Sequence, residues 1–147
     1  MASKDTLLRD ILYFLKNDLS ANITDPLNRT NGIGFIMTSY PQRNVKYPVI
    51  TIKCTNLKAP RSGMQTTLQD ITITIEIRIW ARNEKEKDTL FNQVMSRLTN
   101  IQFTASTGSV ANDFHNFDIL SGIEIDEEGD GGIKSRILQI KYNFYNL

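Results

Sequence analysis

Asp70-Ile71-Thr72-Ile73-Thr74-Ile75-Glu76-Ile77-Arg78-Ile79-Trp80-Ala81 decides the fold, because isoleucine alternates with other residues from Ile71 to Trp80 without a break. On a helix, at about 100° per residue, those isoleucines would scatter around the axis. The stretch is therefore predicted to be a strand. One face is wholly apolar and must meet a core. The other carries Thr72, Thr74, Glu76, Arg78 and Trp80, so the strand is buried on one side only.

A helix is predicted at once on the C-terminal side. Asn83 is a good N-cap and Glu86 stands three residues on, in a capping-box arrangement. Leu90, Val94, Leu98 and Ile101 form an apolar stripe that Phe91 and Met95 widen, and Glu84 and Asp88 have lysine neighbours. Gln102–Asn116 is polar and contains Gly108, so it is expected to be a connection. Ile119–Ile125 and Ile133–Phe144 then read as a hairpin, with Leu138, Ile140, Tyr142 and Phe144 alternating with Gln139, Lys141 and Asn143.

On the N-terminal side, Thr55–Gln69 is polar and aperiodic, with Pro60 and Gly63, and is expected to be a long loop. Val49–Cys54 reads as a strand, with Ile50, Ile52 and Cys54 on one face and Val49, Thr51 and Lys53 on the other. Ile33–Thr38 reads as a short strand between turn-rich connections. Ser3–Leu19 reads as an amphipathic helix, with Leu8, Ile11, Leu12, Leu15 and Leu19 on one face and Ser3 as its N-cap. The order is helix, two or three strands, helix, two strands: α-β(β)-β-α-β-β, an α+β domain spanning residues 1–147. No repeat or linker divides it.

Composition fits that assignment. Apolar residues make up 40% and charged residues 22%, which is ordinary globular usage. A chain of 147 residues buries enough surface to need no disulfide or metal. Its single cysteine, Cys54, suits a reducing compartment. Met1–Asp10 is charged, unlike a secretory signal, and no apolar run approaches the ~18 residues of a membrane span. The chain is thus expected to be soluble.

No stretch of the sequence makes a complete catalytic or metal-binding pattern. Asp126-Glu127-Glu128-Gly129-Asp130-Gly131 matches the first half of a calcium loop. The twelfth position is Ile137, where a bidentate glutamate is required. The stretch reads instead as an acidic turn in water. His115 lies near Asp113 and Asp118, but nothing marks a nucleophile beside it. Cys54 closes an apolar run, as a small buried hydrophobe does. Gly32-Ile33-Gly34 lacks the third glycine of a dinucleotide loop. The expectation is therefore no catalytic residue, no cofactor and no metal.

The sharpest physical feature is segregation of charge. Between Asp25 and Asp70 stand six basic residues (Arg29, Arg43, Lys46, Lys53, Lys58, Arg61) and no acid. Between Arg97 and Lys134 stand seven acids (Asp113, Asp118, Glu124, Asp126, Glu127, Glu128, Asp130) and no Lys or Arg. A net charge of +1 argues against tight non-specific DNA binding. Two segments of opposite sign suit a cyclic oligomer, in which two different patches of each subunit meet head to tail. The alternative is that both segments are simply solvated loops. Arg43, Lys46, Lys53, Lys58 and Arg61 are the candidate basic half of an interface, and Asp126, Glu127, Glu128 and Asp130 the acidic half. Trp80, on the polar face of the best strand, is either a covered sheet residue or an aromatic anchor of the same interface.

The chain resembles the tail-terminator, or tail-completion, proteins of long-tailed phages. The carriers are the N-terminal amphipathic helix, the strand Tyr47-Pro48-Val49-Ile50-Thr51-Ile52 and the long strand ending in Ile79-Trp80. The helix of Leu90, Val94 and Leu98 and the C-terminal hairpin complete the pattern. The resemblance covers nearly the whole chain through patterns of size and polarity. It implies a small, mainly antiparallel sheet backed by two helices. It implies a virion protein, assembled in the host cytoplasm, that forms a hexameric ring at the head-proximal end of the tail. Such a ring ends growth of the tail tube, meets the tube protein and the head connector, and lets DNA through its lumen unread, with no membrane involved. Other neck or baseplate modules, or a small enzyme, are the alternatives.

Overall fold

The computed structural model describes residues 7–30, 34–38, 46–59, 69–103, 114–125 and 134–146. Its elements run α1 (Leu7–Asn22), β1 (Ile36–Met37), β2 (Val49–Lys58), β3 (Gln69–Ala81), α2 (Glu84–Phe103), β4 (Phe114–Ile125) and β5 (Lys134–Asn146). The strands form one sheet in the order β1-β2-β3-β5-β4. The two-residue β1 runs parallel to β2, and every other neighbour is antiparallel. This is the α+β architecture that the pattern of residues predicts.

The alternation in β3 sets the layers. Ile73, Ile75, Ile77 and Ile79 are fully buried and Ile71 nearly so. Across the pairing, Ile52, Ile77 and Leu138 share a row, and Cys54, Ile75 and Ile140 share the next. Both helices cover this face. Ile11, Leu15 and Leu19 of α1 and Leu90, Val94 and Leu98 of α2 complete one core with it. Each such side chain contributes roughly 1.5–3 kcal/mol by leaving water. Together they hold the helices on one side of the sheet. The opposite face carries Thr51, Lys53, Thr72, Thr74, Glu76, Arg78, Trp80, Gln139 and Lys141, none of them buried.

Helix ends follow local chemistry. The backbone N–H of Glu86 donates to Asn83 Oδ1 at 2.8 Å, as an N-cap requires. The return bond of a capping box goes one residue further back, from the Arg82 N–H to Glu86 Oε1 at 3.1 Å. Arg82 Nε donates to the same carboxylate at 3.1 Å. Lys87, only 1% exposed, is held by Glu84 at 2.7 Å. The helices are tied together by Arg97, whose guanidinium grips Asp18 at 2.8 and 2.6 Å.

Several boundaries differ from the expectation. Helix α1 continues past Leu19 to Asn22, and Ser3 lies outside the described residues. The strand expected over Ile33–Thr38 contracts to Ile36–Met37. Strand β2 continues past Cys54 to Lys58, so Thr55–Lys58 is not loop; residues 60–68 lie outside the described residues. A bulge between Cys54 and Asn56 breaks the alternation there, which is why this half of the strand looks aperiodic. Helix α2 extends to Phe103, and β4 begins at Phe114, so both ends of the expected Gln102–Asn116 connection are regular structure.

Candidate functional site

Strand order places β2 and β4, the strands that carry described members of the two charged segments, at opposite sides of the sheet. Strand β2, with Lys53 and Lys58, lies at one side. β1 pairs only with Ile50 and Thr51, so among the described residues the outer side of β2 from Ile52 to Lys58 has no strand neighbour. Strand β4, which contains Asp118 and Glu124, is the opposite edge. One row crosses the sheet from β2 to β4. Val49 stands opposite Trp80, Trp80 opposite Ser135, and Ser135 opposite Ile125.

The individual residues divide. Lys46, Lys53 and Lys58 are exposed. Lys53 reaches across to Glu76 at 3.7 Å, so an acid from the neighbouring strand moderates part of the basic segment. Arg29 turns inward: it donates to the Lys46 carbonyl, lies 3.6 Å from Asp25 and sits over the Phe35 ring. Asp118 stands opposite Lys141 and Glu124 opposite Arg136 in the β4–β5 ladder, so basic residues of β5 neighbour these acids within the subunit. Arg43, Arg61, Asp126, Glu127, Glu128 and Asp130 lie outside the described residues.

Trp80 lies half-buried on the face away from the helices. The Arg78 guanidinium stacks on its ring, 3.9 Å from the centroid, and reaches Ser135 Oγ at 3.4 Å. The stack runs across the row of Val49 and Ser135, both of them fully buried. Cation and ring form one flat, amphipathic surface element.

Two residues escape the periodicity argument. Leu57 and Leu120 are 41% and 48% exposed, comparable with Leu8 and Tyr13 of α1; Leu57 lies on the part of β2 beyond its pairing with β1, and Leu120 on the edge strand β4. Leu57 follows the β2 bulge, and Leu120 lies within the β4 irregularity between Ile119 and Ser121. The signal for Leu120 is visible in the sequence as two adjacent apolar residues, Ile119-Leu120, in a strand that should alternate. Leu57 has no comparable signal, because it sits in a polar stretch.

The grooves show little chemistry. One of ≈ 420 Å³ between the end of α1 and α2 is lined by Asn22, Thr24, Asn92, Gln93, Ser96 and Arg97. Another, of ≈ 300 Å³, runs past Thr24, Pro26, Asn83, Glu86, Thr89 and Leu90. Neither is lined by a histidine or cysteine. The hydrogen-bonded Asp18 carboxylate raises the Arg97 pKa, favouring the charged form. Arg82, through its hydrogen bonds, holds the Glu86 carboxyl below its ordinary range. Burial pushes the Cys54 thiol up, which keeps it protonated and a poor nucleophile. Among the described residues no group of three His, Cys, Asp or Glu could hold a metal ion, and no helix is long and apolar enough to cross a membrane. No protein-family model matches the chain, and no curated protein matches it.

Proposed function

We propose that this chain is a non-enzymatic structural protein of a phage tail, whose copies join head to tail into a ring at the head-proximal end. The ring would stop growth of the tail tube and offer a docking surface to the head connector, while DNA crosses its lumen unread. The number six comes from the family resemblance. The observation that supports the reading is that Lys53 and Lys58 of the basic segment and Asp118 and Glu124 of the acidic one belong to strands, β2 and β4, at opposite sides of one sheet. A heterologous contact needs two different patches facing apart on one subunit, and it closes if the rotation between copies divides a circle. Two edges of one sheet meet the first requirement. Both helices pack on one face, so among the described residues neither edge is covered by a helix.

The test is mass. Light scattering on size-exclusion fractions, at two protein concentrations, should give a closed species of several subunits, six by the resemblance. Negative-stain images of that species should show rings with an open centre. A monomer at the higher concentration, or a twofold dimer that grows no further, would overturn the reading.

A further inference from the structure

We draw no further inference here: the strongest candidate, the ≈ 430 Å³ hollow at the end of α1 lined by Asn22, Thr24, Asp25, Asn28, Arg29 and Phe35, carries nothing, because Arg29 Nη1, its donor without a hydrogen-bond partner among the described residues, is shut off from solvent and already lies 3.6 Å from the Asp25 carboxylate, so nothing in the structure says what the hollow would hold.

Discussion

Glu86 shows how much local structure one carboxylate organises. It accepts from the Arg82 backbone N–H and from the Arg82 side chain, and its own N–H is capped by Asn83. The turn from β3 into α2 is closed within five residues. Arg82 lowers the carboxyl pKa from an ordinary value of 4.5, and the lowering is a stability statement. Because the folded value lies below the unfolded one, the contribution is fully present above about pH 4.5 and is lost as pH falls through the folded value. Glu86→Gln removes the charge. Its melting temperature should lie below the parent's by a constant amount near neutrality, and the gap should shrink on acidification below that point. A gap unchanged down to the acid transition would mean that the charge is irrelevant there. The residue types of this turn were legible in the sequence. That the return bond comes from Arg82 was not, because it depends on where β3 ends.

At the scale of elements, α2 is seated on the sheet by an aromatic ring on a glycine. A Cβ built on Gly122 of β4 would lie 2.7 Å from Phe91 Cζ, too close for any side chain without movement. The Arg136 guanidinium lies 4.8 Å from the centroid of the same ring. Gly122→Ala should therefore destabilise the domain by about 1–3 kcal/mol, the usual range for overpacking. In a Phe91→Leu background the added methyl should cost clearly less. Chemical denaturation of the four proteins of the cycle measures this, and equal costs in both backgrounds would show that the methyl never meets the ring. Elements with an unbroken period, β3 and α2 above all, could be read from residue spacing. Elements interrupted by bulges could not. Thr55–Lys58 continues a strand whose alternation is broken, and Phe114–Asn116 begins one whose pairing shifts register before Asp118. The Gly122 seat could not be read either, because it joins residues far apart in sequence.

At the scale of the whole molecule, segregation of charge was plain in the sequence, but its geometry was not. Only the strand order shows that β2 and β4 lie at opposite sides of the sheet, and only the ladder shows Asp118 and Glu124 opposite Lys141 and Arg136. Half-assembly should shift to higher protein concentration as salt rises, since exposed charges are screened over about 8 Å at physiological ionic strength. The shift should be modest, because rim charges act mainly on encounter and register. Light scattering across a salt series checks this, and complete insensitivity would assign the adhesion to apolar contacts alone. The strand order has one more consequence, in time. β5 is the last of the five strands to be synthesised, yet it lies between β3 and β4. A nascent chain that has emerged only as far as β4 can pair β2 with β3, but β4 then lacks the strand it pairs with. One of the two edges thus comes into being only when β5 arrives, so in the proposed ring a half-made subunit would present at most one joint.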